Sequence, residues 1–128
     1  MTENELSSII IGAAIEVHNA LGPGLLESVY EECLIQELKM IGLEVKEQVV
    51  LPITYKGTQI QSKLKVDLIV QDKVIVELKA VQELSPIHAA QLLTYLKISN
   101  QRLGLLINFN ELKIKNGLRR IINSQIAN

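Results

Sequence analysis

Two short apolar runs of the chain carry three charged side chains, Asp67, Glu77 and Lys79, on either side of a polar turn at 71–73. Strand side chains alternate between faces, so each run would have one apolar face and one face that bears the charges. A three-residue loop aligns the apolar faces and sets Asp67 opposite Glu77. The predicted cross-strand pairs are Val70–Val74, Leu68–Val76 and Val66–Leu78. Facing carboxylates repel, and a divalent cation between them relieves the repulsion, so this hairpin is a candidate metal site.

A lysine beside metal-binding carboxylates suits phosphate chemistry. Lys79 follows Glu77 by two residues and would share its face, from which its ammonium could orient a water or offset charge on a phosphate. Mg²⁺, or Mn²⁺, needs only one or two carboxylates with water and substrate oxygens, and the backbone carbonyl of Leu78 could complete the ligands. The ordinary alternative is an ion pair on a solvated strand, where Glu-x-Lys is common.

Two predicted helices add polar candidates. Glu27 would lie in the first turn of a helix, at the edge of its apolar stripe, where it could face the sheet; the helix dipole alone also favours an acid there. A later helix, from Pro86 to about Ser99, would place His88, Gln91 and Tyr95 on one face. This face would lie beside the charged hairpin, although Tyr95 could equally be a core residue.

The whole pattern predicts an α/β fold in one domain over residues 1–128. Helices are expected at 2–21, 25–41 and 86–99, and extended runs at 45–55, 59–70, 74–80, 103–109 and 118–122. A strand, a helix and a strand over 74–109 form a βαβ unit, and therefore a parallel pair. The element order is α-α-β-β-β-α-β-β, a small mixed β-sheet flanked by helices.

The composition excludes several classes of protein. No apolar run approaches the roughly 20 residues that cross a bilayer, and the acidic start does not resemble a secretory signal. Cys33 is the only cysteine, which rules out an internal disulfide and a cysteine-based zinc cluster. We therefore expect a cytoplasmic protein with no membrane segment.

Charge is unevenly distributed along the chain, although the net charge is only −1. Residues 1–48 hold nine acids and two bases, whereas residues 49–128 hold five acids and eleven bases. The C-terminal bases are Lys113, Lys115, Arg119 and Arg120. They could form a phosphate-binding face or a solvated terminal strand, and the sequence supports both interpretations.

The ordered motifs of the chain resemble the GxxExxY family, a branch of the PD-(D/E)XK nuclease superfamily. The similarity runs from V-H-N-A-L-G-P-G-L-L-E-S-V-Y through V-D-L-I-V, V-I-V-E-L-K-A and H-A-A-Q-L-L-T-Y-L to G-L-R-R-I-I. It implies a restriction-endonuclease-like fold, with metal bound by Asp67 and Glu77 and with Lys79 serving the attacking water. Val66 stands where the superfamily motif has proline, a position that donates no side-chain chemistry.

The same resemblance implies roles for the helical candidates. Glu27 would match the acidic residue of the superfamily's first core helix, and Gln91 and Tyr95 would match its Gln-x-x-x-Tyr motif. The predicted function is a Mg²⁺-dependent nuclease acting on nucleic acid, with DNA favoured as the partner. The alternative is a catalytically silent module of the same fold that binds nucleic acid or a protein. A homodimer and a subunit of a larger complex both stay open.

Overall fold

The computed structural model describes residues 1–126, which form three α-helices and seven strands. The helices are α1 (Glu3–Leu21), α2 (Glu27–Met40) and α3 (Pro86–Ser99). The strands are β1 (Val45–Val50), β2 (Ile53–Tyr55), β3 (Thr58–Ile60), β4 (Lys65–Val70), β5 (Val74–Lys79), β6 (Leu103–Asn108) and β7 (Leu118–Ile122). A 3₁₀ turn, Ile114–Gly117, precedes β7. No helix in this part of the chain is long and apolar enough to cross a membrane.

The main sheet has five strands in the order β1-β4-β5-β6-β7. Strands β5 and β6 are parallel, as the βαβ pattern predicts, and the other neighbours are antiparallel. Strands β2 and β3 form a separate two-stranded sheet. The predicted α/β class and mixed sheet are therefore confirmed.

Each face of the sheet has its own apolar core. Even-numbered residues of β4 and β5 from Leu68 onwards, such as Leu68 and Val76, pack with α1 and α2, whereas Val66, before Asp67, lies in the core on the α3 side. Odd-numbered residues such as Ile69 and Ile75 pack with α3. The face predicted to bear charge is thus largely covered by α3, and its charged residues lie where β4 begins and β5 ends.

The β4–β5 hairpin has the predicted register over its inner part. Leu68 pairs with Val76 and Val70 pairs with Val74 around the three-residue loop 71–73. The N–H of Lys73 donates to the carbonyl of Val70 at 3.0 Å and closes the turn. The ladder ends at Leu68–Val76, so the predicted Val66–Leu78 pair is not part of it.

Several element boundaries differ from the prediction. The extended runs 45–55 and 59–70 are each interrupted, because Pro52 has no N–H to donate to a neighbouring strand. Residues 51–64 consequently leave the main sheet as a two-stranded projection, which we call the outer ribbon. Helix α2 begins at Glu27 rather than at residue 25, and Leu26, within the predicted helix, precedes it and is 75% exposed.

Candidate active site

Asp67 lies where β4 loses its backbone pairing to both neighbouring strands. The β1–β4 ladder has Glu47–Leu68 and Val49–Val66 pairs, but Asp67 has no pair between them. On the other side the β4–β5 ladder has already ended at Leu68. A gap therefore opens in the sheet around one carboxylate.

Carboxylates take the place of the missing carbonyl acceptors. The N–H of Leu78 donates to Oδ2 of Asp67 at 2.8 Å, and the N–H of Asp67 donates to Oε2 of Glu77 at 3.2 Å. Each acid is thus fixed by the backbone of the opposite strand. The sequence prediction that Asp67 and Glu77 lie together is met, through these side-chain bonds rather than through a ladder pair.

Glu77 binds a proton unusually tightly. It is 6% exposed, and its burial, followed by its hydrogen bond to Asp67 and the negative charge of Asp67, raises its pKa to about 9. The backbone N–H of Asp67 and the ammonium of Lys79 act in the opposite direction. At neutral pH without a bound cation, Glu77 therefore holds a proton.

The paired carboxyl groups fit a hard divalent cation. Both present oxygen donors, and a cation between them would neutralise the charge that a proton now neutralises. Within residues 1–126, no group of three or more His, Cys, Asp or Glu side chains is arranged to hold a metal. A cation here would therefore depend on two carboxylates, with the predicted Leu78 carbonyl, water and substrate oxygens as further ligands, as Mg²⁺ commonly does.

Lys79 is half-buried at the end of β5. Its charge opposes the rise in pKa at both Glu77 and Glu27, so its ammonium lies within electrostatic reach of both acids. In the described part of the chain, the ion pair that forms joins Lys46 and Asp72 on the surface at 2.8 Å. Within residues 1–126 Lys79 is not part of an ion pair, so the structure contradicts the alternative explanation of this lysine.

Helix α2 brings two acids towards Asp67. Partial desolvation, followed by the charge of Asp67, raises the pKa of Glu27, although the residue as a whole is exposed. Burial also raises the pKa of Glu31, and the charge of Asp67 adds to the rise. Glu31 was not among the predicted site residues, although its position four residues after Glu27 places it on the same helical face.

Gln48 links Glu31 to Asp67. Its Nε2 donates to Oε1 of Glu31 at 2.8 Å and lies 3.4 Å from Oδ1 of Asp67. Its φ is 49° in the middle of β1, a left-handed conformation that costs a non-glycine residue roughly 1–2 kcal/mol. Nothing in the sequence indicated this role, because the bonds join residues 17 and 19 positions apart.

Tyr30 fixes the loop that leads to Glu27. Its hydroxyl donates to the carbonyl of Gly22 at 2.6 Å and accepts the N–H of Leu25 at 3.0 Å. Its ring is fully buried and stacks on Phe109 with centroids 4.6 Å apart. The tyrosine of the Gly24–Glu27–Tyr30 spacing is therefore a positioning residue for the acid.

The candidates on α3 differ in how close they come to the carboxylates. Tyr95 is 8% exposed; burial, followed by the charges of Glu77 and Asp67, raises its pKa, so it borders the site. Gln91 is exposed, and no hydrogen bond within residues 1–126 joins its side chain to the site. His88, predicted on the same face, caps the helix instead, because its Nδ1 accepts the N–H of Ser85.

A sequence model described as the PD-(D/E)XK nuclease superfamily matches residues 4–121. The chain therefore belongs to this superfamily, and its α/β fold is restriction-endonuclease-like. The match does not test the narrower GxxExxY assignment. Nucleases of the superfamily generally use divalent metal ions. Comparisons with curated proteins and with solved structures gave no match.

Proposed function

We propose that this protein is a metal-dependent nuclease that hydrolyses phosphodiester bonds in nucleic acid, DNA in the first instance. Asp67, Glu77 and the backbone carbonyl of Leu78 would hold Mg²⁺ or Mn²⁺. When bound, such a cation polarises a phosphoryl oxygen and lowers the pKa of a water. The observation that carries the proposal is the Asp67–Glu77 pair, two carboxyl groups held together by backbone N–H groups in a gap of the sheet.

The chain's own groups have distinct roles in this proposal. The Lys79 ammonium, beside the acid pair, would orient the attacking water and offset negative charge on the phosphate. Glu27 would accept a hydrogen bond from that water, since its raised pKa makes it a stronger base than an ordinary carboxylate. Tyr95 and Gln91 would hold the phosphate from α3.

The test uses substitutions that preserve shape. Asp67→Asn and Glu77→Gln keep the acceptors of the backbone bonds but cannot give a cation a negatively charged ligand, and Lys79→Ala removes the ammonium. Labelled single-stranded and duplex DNA and RNA are incubated with Mg²⁺, Mn²⁺ or EDTA. We expect Asp67→Asn and Glu77→Gln to lose cleavage by at least about 100-fold, the scale on which electrostatic and acid–base groups act.

Matched controls come from the hairpin loop. Asp72→Asn and Lys73→Ala change the same residue types at exposed positions close by in sequence and should leave cleavage at the original rate. Lys79→Ala should lose cleavage while retaining Mn²⁺ binding, measured by calorimetry. Cleavage by Asp67→Asn at the unsubstituted rate would remove the basis of the proposal.

A second function is favoured by one observation. Glu77 holds a proton at neutral pH in the absence of a cation, and a protonated acid is a poor metal ligand. A non-catalytic protein of this fold would keep the pair protonated and use its surface to bind nucleic acid or a protein. Salt-sensitive DNA binding that responds neither to Mg²⁺ nor to Glu77→Gln, together with no cleavage, would support this function.

A further inference from the structure

The outer ribbon and its flanking residues carry only positive charge. Between residues 49 and 66 there is no acid, and the lysines are Lys56, Lys63 and Lys65, all exposed. The candidate site beside them has the opposite character, since four acids lie there: Glu27, Glu31, Asp67 and Glu77. A polyanion that reached this site would be repelled unless cationic groups close by held its backbone.

The ribbon leaves the sheet at the same end of β4 as the carboxylates. Val50 pairs with Lys65, and the N–H of Leu51 donates to the carbonyl of Leu64 at 2.8 Å, so the ribbon continues the β1–β4 pair outwards. Lys65 precedes Asp67 by two residues on the same strand. Their Cα atoms are separated by about 7 Å at the usual rise of a strand.

The ribbon offers an open surface of mixed polarity for a nucleic-acid strand. Every residue of β3 is exposed, and a groove of about 500 Å³ runs along the ribbon, lined by the polar residues Gln59, Gln61, Ser62 and Lys63 and by the apolar residues Val50, Leu51, Pro52 and Ile60. Side-chain amides, hydroxyls and ammonium groups are the usual donors to phosphate oxygens.

The tip of the ribbon adds an aromatic ring. Tyr55 is 61% exposed, and Nζ of Lys56 lies 5.4 Å from the centre of its ring. An exposed ring beside an ammonium can stack on a base while the charge contacts the adjoining phosphate.

The C-terminal bases are placed less favourably. They lie on or just before β7, the edge of the sheet opposite β1, and β5 and β6 separate that edge from β4. The guanidinium of Arg119 donates to the carbonyls of Asn116 and Leu118, and Arg120 donates to Asn4 at 2.6 Å. Two of the four bases there are thus already hydrogen-bonded within the protein.

We propose that the outer ribbon, with Lys56, Lys63 and Lys65, binds the phosphate backbone of nucleic acid and holds it against the Asp67–Glu77 pair. The proposal rests on the proposed function, because it supplies the substrate surface for that site. Under this proposal the C-terminal bases belong to a solvated strand and not to a phosphate-binding face.

The experiment measures binding without cleavage. The full-length protein is titrated in EDTA, by fluorescence anisotropy, into labelled 20-nucleotide single-stranded DNA, the corresponding duplex, and RNA of the same sequence, over a range of salt concentrations. The variants are Lys56→Gln/Lys63→Gln/Lys65→Gln, the same three positions changed to Arg, and a control of equal charge, Lys113→Gln/Lys115→Gln/Arg119→Gln.

We expect the ribbon glutamine variant to bind roughly 10- to 100-fold more weakly at 0.1 M salt, with a log–log salt slope smaller by about 2–3. The arginine variant should bind as the unsubstituted protein does, and the C-terminal variant should change affinity by less than about threefold, since its bases would contact no phosphate. The DNA and RNA arms identify the preferred nucleic acid, and Tyr55→Ala should weaken single-strand binding more than duplex binding.

Two results would overturn the ribbon proposal: unchanged affinity in the ribbon glutamine variant, or an equal loss in the C-terminal variant. Absence of nucleic-acid binding by the unsubstituted protein would also overturn it. Failure of the nuclease proposal is separate. If Asp67→Asn cleaves normally, or if no condition gives cleavage, while the ribbon variant still loses binding, the ribbon assignment stands and the catalytic one does not.

Discussion

Glu77→Gln should make the protein more stable at alkaline pH. The glutamine amide has nearly the shape of the protonated glutamic acid, so its oxygen can still accept the N–H of Asp67 and its NH₂ group can donate to the Asp67 carboxylate. It differs from Glu77 in one respect, since it cannot ionise. The substitution therefore keeps this position neutral at every pH.

The size of the effect follows from the pKa of Glu77, which is raised from 4.5 to about 9 by folding. The folded state binds the proton more tightly than the unfolded state, so the stabilisation from this proton is fully present below pH 4.5 and is lost as the pH rises towards 9. Between these values the free energy of unfolding falls by at most about 1.4 kcal/mol per pH unit. From pH 6 to pH 8 the loss is about 3 kcal/mol, which lowers Tm by on the order of 10 °C.

The assay is thermal and urea unfolding of both proteins in EDTA at pH 5, 6, 7 and 8. The difference between them isolates Glu77, because other titrations are common to both. The two proteins should be similar in stability near pH 5 and diverge above it, and Glu83→Gln, at an exposed position, should follow the unsubstituted protein. A stability difference that does not change with pH would refute the assignment of the proton to Glu77. Mg²⁺ at pH 8 should stabilise the unsubstituted protein, because the cation can replace the proton of Glu77 and bind its carboxylate. It should not stabilise Glu77→Gln, because the glutamine amide carries no charge.

Two further substitutions test how the site is positioned. Gln48→Gly and Gln48→Ala both remove the bridge to the acids, but only glycine relieves the left-handed backbone, so urea unfolding should find the glycine variant more stable by about 1 kcal/mol; equal stabilities would argue against strain at this residue. Tyr30→Phe keeps the stack on Phe109 but removes the hydroxyl that pairs with the N–H and the carbonyl of the loop. We expect it to lower the free energy of unfolding by about 1–3 kcal/mol in the same assay. Tyr55→Phe, at the exposed tip of the ribbon, is its control and should change stability by less than about 0.5 kcal/mol; a similar loss in both variants would contradict the buried-hydroxyl explanation.

The sequence predicted the parts of the fold that depend on local pattern. Alternation of apolar residues determined the register around Val70 and Val74, because a slip by one residue would exchange the two faces. The β5–α3–β6 unit followed from an apolar strand, a capped helix and a second apolar strand, since that order has one common solution. The same register predicted Asp67 and Glu77 as neighbours, although the ladder ends before them and side-chain bonds join them.

Features set by contacts distant in sequence were missed. The gap at Asp67 depends on carboxylates that replace carbonyl acceptors, which the alternation of residue types does not reveal. Gln48 acquires its role only because β1 lies beside β4, and the ladder and the strained φ are both properties of that pairing. Pro52 favours an edge strand or a bulge within an extended run, which does not predict that 51–64 would leave the sheet together.

The outer ribbon contributes little to either core, since apart from Leu51 and Leu64 its residues are absent from both. The residues between these two leucines can therefore be lengthened, shortened or changed in sequence with little loss of folding stability, provided that both leucines remain. Selection, or an engineer, could exchange this arm and leave the carboxylate pair untouched. In the proposed nuclease, target preference and bond-breaking chemistry would then evolve as separable traits within a single small scaffold.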